Sequence, residues 1–360
     1  MKKALLSLIS LIILIVLYLF FWPVSINPES WTSPNDPGYT GVYAVNDLMS
    51  HVEVRHNPGC NSCEDVAVDE QGRVYGASVD GNIVRFDTPS SEATILVNTG
   101  GRPLGLDFDT LGNLYIADAM KGLLRLNTSG DLEVLSTEHN NRPYLFTDDL
   151  EVGSDGKVYF SDASDQNNIH AYVLDLLEHK PRGRLLVYDP SNNKVDLLLD
   201  KLYFANGVAV AADASFVLVN ETASYKTTRY WLTGDKKGQH DVFIEALPAF
   251  NDGISRGEDD IFWIALISPR NPLVDGFSEK PFMRKMIARL PDFLQPAPEK
   301  HTGAIGVNSN GEVIYNFQSP KANFAQISSV QQWDNDLYFG SLGMQGVGVL
   351  KDFKRIAGHR

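Results

Sequence analysis

The hydrophobic and polar positions fall into two regimes along the chain. From Ala4 to Trp22 there is no charged side chain. That run of 19 residues makes roughly 28 Å of helix at about 1.5 Å per residue, enough to cross a hydrocarbon core. From Val66 onward the pattern changes to period-2 alternation, the signature of half-buried strands. An alternating strand, an Asp/Asn/Gly turn and a second strand rich in Tyr, Phe and Val recur six times. The copies are VAVDEQGRVYGAS from Val66, LDFDTLGNLYIAD from Leu106, LEVGSDGKVYFSD from Leu150, VAVAADASFVLVNET from Val208, ISRGEDDIFWIAL from Ile254 and SVQQWDNDLYFGSL from Ser329.

Spacings of about 40, 45, 58, 46 and 76 residues separate the turns. Periods of this order built from short strands mark propeller blades. Each phrase reads as a blade's inner hairpin. The segments between, such as GNIVRFD with ATILVN and GLLRLN with LEVLST, read as its outer hairpin. The pattern predicts an all-β fold, a six-bladed β-propeller with one N-terminal transmembrane helix. GVGVLKD leaves the last blade one strand short, and GVYAVND or HVEVRH near the anchor is the candidate to close it. The long last gap predicts an insertion at about 268–300. A helix begins there at Pro281, with Phe282, Met286, Ile287 and Leu290 as its apolar face, lying over one end of the ring.

Residues 1–26 are therefore expected to be a cytoplasmic stub and transmembrane signal anchor, and residues 27–360 the propeller. Lys2 and Lys3 place the N-terminus in the cytoplasm and the propeller on the other side, the periplasm if the short Lys-Lys start is bacterial. A cleaved signal peptide is the alternative, but no small-x-small site follows the run. Apart from those two lysines the chain has 29 basic and 45 acidic residues, a net charge of −16, which repels nucleic acid and anionic lipid. Cys60 and Cys63, the only cysteines, are expected to form a local disulfide or remain as two free thiols. Glu221 and Arg229 are expected to pair and brace a blade.

The stretches GRPLGLDFD, GRLLVYDP, FANGVAVAADASFVLVNET, TTRYWLTG, ALPAFNDGI and RNPLVDGF resemble the strictosidine synthase-like family, most closely its membrane-anchored branch. The resemblance covers nearly the whole chain after the anchor. It implies kinship with the gluconolactonase and paraoxonase propellers, which carry Ca²⁺ in the central channel and hydrolyse lactones and esters. Glu64, Asp148, Asn206 and Asp252 match the metal ligands of those relatives. Two departures stand out: Asp148 replaces a usual asparagine, and Gly253 replaces an asparagine next to Asp252, which is expected to leave a coordination position open. Physical chemistry supports the metal reading. Three carboxylates in a narrow channel repel until some protonate, and Ca²⁺, which takes six to eight oxygens, removes that conflict.

The resemblance implies a small-molecule ester or lactone substrate. Asp252 is the first candidate for the base acting on water and Glu64 the second. Arg102 is expected at the channel mouth, holding an anionic or carbonyl group or a structural salt bridge. Asp149 is a candidate ligand for a second ion or a plain turn carboxylate. Leu104 occupies the place of a paraoxonase histidine. Ser328 occupies that of a glutamate in the family's plant namesake, which condenses an amine with an aldehyde, and this speaks against condensation chemistry. The competing expectation is a non-catalytic propeller that binds a protein or small ligand.

Overall fold

In a computed structural model, residues 1–88, 92–321 and 323–358 are described. Six four-stranded antiparallel sheets form the ring. Their inner strands are Val66–Val68, Pro103–Phe108, Thr147–Val152, Ala205–Val210, Ala249–Arg256 and Ile327–Trp333, blades 1 to 6 in order, and each packs against its neighbours around the axis. Every one carries or adjoins a repeated phrase, because the alternation that marks a strand also sets one face toward the adjacent blade. The turns hold through carboxylates: Asp69 Oδ1 accepts from the Gln71 and Arg73 amides, and Asp109 Oδ1 from those of Leu111 and Asn113.

Of the two closing candidates, HVEVRH is the one used. Glu53–Arg55 pairs with Val347–Val349 and completes blade 6. GVYAVND instead forms a short 3₁₀ turn at Gly41–Tyr43.

The apolar run forms α1 (Lys2–Phe21), a helix long and apolar enough to cross a membrane, with no buried residue. Two excursions leave the ring at one end. α2 (Tyr172–Glu178) lies between the second and third strands of blade 3. α3 (Pro272–Gly276) and α4 (Pro281–Ala288) lie between those of blade 5. α2 and α4 pack together as a cap, with Ile26, Leu177 and Ile287 buried between them.

Two expectations are corrected here. α4 starts at Pro281 as predicted, but of the four expected apolar positions only Ile287 is buried, and Phe282 is exposed. The buried partner is Arg284, which donates to the carbonyls of Leu177, Ser278 and Glu29 and so ties α2, α4 and the strap after α1. Glu221 and Arg229 do not pair. Across the strands Glu221 faces Lys226, its ion-pair partner at 3.1 Å, while Arg229 faces Leu218 and pairs with Asp241 at 2.8 Å.

Candidate functional site

The ring brings Glu64, Asp148, Asn206 and Asp252 to one place. All four line a chamber of about 390 Å³ between the ring and the cap. Below it a narrower channel of about 80 Å³ runs down the axis, sharing Glu64, Asp148 and Asn206 with the chamber.

Local breaks in strand register aim these side chains. The pairing slips between Thr147 and Leu150, between Ala205 and Val208, and between Asn251 and Ile254. Each slip spans a site residue, and such bulges re-aim side chains at the cost of local pairing. Glycines let the blades close in at these slips. A Cβ on Gly207 would stand 2.3 Å from the Ile254 amide nitrogen, and one on Gly253 would stand 2.6 Å from the Ser328 carbonyl oxygen. With this backbone, any side chain at position 253 would run into blade 6.

Asp252 is held from several sides. Its Oδ1 accepts from Asn206 Nδ2 at 2.5 Å, and its backbone carbonyl accepts from Asn220 Nδ2 at 2.6 Å. Thr227 Oγ1 donates to Asn220 Oδ1, and Thr222 Oγ1 donates to the Asn251 carbonyl. Asp252 Oδ2 is buried without a hydrogen-bond partner, as is Asp148 Oδ2. Burial is the largest cause raising the Asp252 and Asp148 carboxyls well above the usual range. Repulsion from Glu64 adds to both, and Asn206 partly offsets the rise at Asp252. Burial also raises Glu64, opposed by the Arg102 guanidinium.

Arg102 is at the chamber wall as expected, and its guanidinium donates to Glu64 Oε2 at 3.0 Å. This is the salt-bridge alternative, so a role in holding substrate would compete with the Glu64 contact. Cys60 and Cys63 form a disulfide directly before Glu64, and Ser341 donates its amide to the Cys63 carbonyl at 2.7 Å. The loop that presents Glu64 is thereby pinned.

Asp149 is neither a turn carboxylate nor directed at the chamber. Its Oδ1 accepts from the Leu150 amide and its Oδ2 from the Val208 amide of blade 4, both at 2.8 Å. Asp65 reaches the Leu106 amide at 2.7 Å, Asp107 the Val152 amide at 2.8 Å and Glu151 the Val210 amide at 3.2 Å. Each ties its blade to the next. Arg256 of blade 5 reaches past blade 4 to pair with Glu151 of blade 3 at 3.1 Å. Sequence reading passed over Asp65, Asp107 and Glu151. The available signal was an acid one residue beyond the site position in blades 1 and 3, or three beyond it in blades 2 and 3. It also missed Tyr172 of α2, a chamber residue whose hydroxyl is raised by burial and then by the charges of Asp252 and Glu64.

Among the described residues, no three His, Cys, Asp or Glu side chains stand together as a ready metal cage. Glu64 is turned onto Arg102, and the fourth candidate is an amide. The donor set still fits a hard cation. It is all oxygen, it is buried, and two of its carboxylate oxygens lack any donor.

Comparison with known proteins agrees with the architecture. A family profile described as strictosidine synthase matches residues 148–235, and one described as strictosidine synthase-like, N-terminal, matches residues 41–86. The strictosidine synthase-like 6 protein of Arabidopsis thaliana is 34% identical over 78% of this chain and 76% of its own. The adipocyte plasma membrane-associated protein of Rattus norvegicus is 29% identical over 88% of this chain and 90% of its own. Among solved structures, a gluconolactonase from Xanthomonas campestris superposes with a TM-score of 0.61 at 14% identity, covering 83% of this chain and 88% of that one. A calcium-binding regucalcin from Agrobacterium tumefaciens gives 0.57 at 12% identity, covering 82% and 92%. At such identities the structures bear on the fold alone, whereas the sequence relatives settle kinship: the chain belongs to the strictosidine synthase-like family.

Proposed function

We propose that this protein is a membrane-tethered, calcium-dependent hydrolase of carboxylic esters or lactones, residues 1–26 forming the anchor and the propeller lying on the non-cytoplasmic side. The observation that carries this reading is the pair of buried, partnerless carboxylate oxygens on Asp148 and Asp252, at the floor of a chamber with largely apolar walls. Buried carboxylates left in this way are costly unless a cation or a proton joins them. The gluconolactonase and regucalcin folds, and the membrane-associated relative, point the same way.

In this reading Glu64, Asp148, Asn206 and Asp252 hold the ion. When bound, Ca²⁺ supplies positive charge that polarises a substrate carbonyl and stabilises the developing oxyanion. The chain's own residues do the rest. Asn206 fixes Asp252 Oδ1, which leaves Oδ2 free to take a proton from an attacking water. Glu64 is the second candidate for that step, with Arg102 holding its other oxygen. Tyr172 lines the same chamber and has a hydroxyl that keeps its proton, suited to donate to a substrate oxygen. The apolar walls exclude water from the acyl portion.

The test is turnover of a panel of aryl esters and lactones by the full chain in nanodiscs, with Ca²⁺ and with chelator. Turnover that chelation abolishes and Ca²⁺ restores is expected. Undiminished turnover in chelator removes the metal from the mechanism. No turnover of any substrate with Ca²⁺ present favours a binding propeller.

A further inference from the structure

We infer that the helical cap lies on the membrane surface beside its own anchor, so that the chamber is loaded from the lipid phase and its substrate is a long-chain, membrane-partitioned ester or lactone. The substrate half of this inference rests on the hydrolase reading; the membrane placement does not.

The contacts between α1 and the cap fix the geometry. Arg289, just past α4, donates from Nε to the Trp22 carbonyl at 2.6 Å and from Nη1 to the Leu19 carbonyl at 2.9 Å. Tyr18 Oη donates back to the Arg289 carbonyl at 2.9 Å. A cation thus satisfies end carbonyls of α1, where the helix dipole favours positive charge. The Phe20 ring meets the Phe282 ring of α4 edge-on, with centroids 5.2 Å apart. Phe20 belongs to the membrane-crossing run, so Phe282 sits at the bilayer boundary. Tyr18 and Trp22 are the residue types that favour that depth.

The outer surface of the cap suits the same place. Phe282, Leu273 and Leu294 are exposed, and Phe293 is 83% exposed. Lys280 and Lys285 lie in the same segment, offset by Asp275 and the exposed Glu279, so the surface carries no net charge of its own to oppose the lipid. Exposed apolar side chains on a short helical surface that adjoins a membrane-length helix match the headgroup boundary. A protein partner would have to fit between this surface and the lipid next to α1, because the patch is continuous with the anchor.

The inner surface of the same elements roofs the chamber. Val274 lines it one residue from Leu273, and Pro296 lines it two residues from Leu294. Val173 and Leu176 of α2 add to the apolar lining that faces the acidic residues. An amphiphile entering there would leave its chain against the cap and present its carbonyl to Asp252. A freely soluble polar substrate would gain nothing from these walls.

Spin labels on the full chain in nanodiscs decide the placement. Cysteines introduced as Phe293→Cys, Leu273→Cys and, at the far end of blade 2, Leu111→Cys carry the labels, since Cys60 and Cys63 are disulfide-bonded. Expected are strong relaxation by oxygen and weak relaxation by a water-soluble nickel chelate at 293 and 273, with the reverse at 111. The discs hold one protein each, so protection by a second copy is ruled out by stoichiometry. Nickel accessibility at 293 equal to that at 111 overturns the placement. The second arm compares a long-chain lactone dissolved in the disc with a short, water-soluble aryl ester. Phe293→Asp with Leu294→Asp is expected to cut turnover of the first by tenfold or more and to change the second by less than twofold. An unchanged ratio overturns lipid loading. Because the labels need no turnover, an inert enzyme would count against the hydrolase reading and leave the membrane placement standing.

Discussion

The two ends of the central axis use the same side chains for opposite purposes. At the chamber end, Asp148 and Asp252 each keep an oxygen that nothing donates to. One or three residues further along the inner strands, Asp65, Asp107, Asp149 and Glu151 are each satisfied by an amide of the following blade. Asp148 and Asp149 are neighbours in sequence and fall on either side of this divide. The lower acids function as ties: each accepts an inner-strand amide that would otherwise be buried without a partner. The upper ones are left unsatisfied by the protein, which is the condition of a site rather than of a joint.

The sharpest way to break this contrast is Asp252→Asn. The amide keeps the shape and removes the base, so ester or lactone turnover should fall about 10²- to 10⁴-fold. The melting temperature should stay or rise, since a buried carboxyl near Glu64 is lost. Wild-type turnover in this variant, measured as kcat/KM on the best substrate of the panel, would refute the base assignment.

A smaller effect, on stability, is expected at the adjacent ring of ties. Asp149→Ala strips the Leu150 and Val208 amides of their acceptor. Two buried N–H groups left unpaired should cost about 2–4 kcal/mol in denaturant unfolding. Asp148→Asn orphans no donor and should change stability by less than about 1 kcal/mol while impairing turnover. Equal destabilisation by the two variants would show that the divide between site and joint is not real.

How much of this was legible in the sequence follows from what repeats. The inner hairpins recur because every blade meets the same packing problem, and so the ring and the four site positions could be read from alternation and phrase alignment. The cap could not. α2 occupies a single enlarged gap, occurs once, and is too short for a helical periodicity to stand out. The apolar face assigned to α4 failed for a related reason. Arg284 is buried because three carbonyls from separate segments converge on it, a tertiary circumstance with no local signature. The inter-blade acids were visible as residues but not as ties, since their partners lie some 41 to 59 positions away. Aligned by blade, the residue after each site position reads Asp65, Gly105, Asp149, Gly207, Gly253 and Ser329. Carboxylates join blades 1 to 4, and close glycine packing joins blade 2 to blade 3 and blades 4 to 6 to one another.

The last prediction separates the two ends by pH. Burial is the largest cause raising Asp65 and Glu151 to about 7 and Asp107 to about 6, and it also raises Asp148, Asp149 and Asp252 well above the usual carboxylate range. Folded values above those of the unfolded chain mean that the protonated forms favour the fold. Their contribution is complete below about pH 4 and is lost as pH rises through 6 to 7 and beyond. The chelated protein should therefore melt at progressively lower temperature between pH 5 and pH 8. Ca²⁺ acts only on ionised carboxylates, so it should restore stability at pH 8 and do little at pH 5. At a hundredfold excess over its Kd that restoration is about 2.7 kcal/mol, read as several degrees in calorimetry. In Asp252→Asn the Ca²⁺ response should shrink, while the decline with pH persists, because Asp65, Asp107 and Glu151 remain. A Ca²⁺ shift of the same size at pH 5 and pH 8, or one that Asp252→Asn leaves intact, would place the ion elsewhere and return the upper carboxylates to the role of the lower ones.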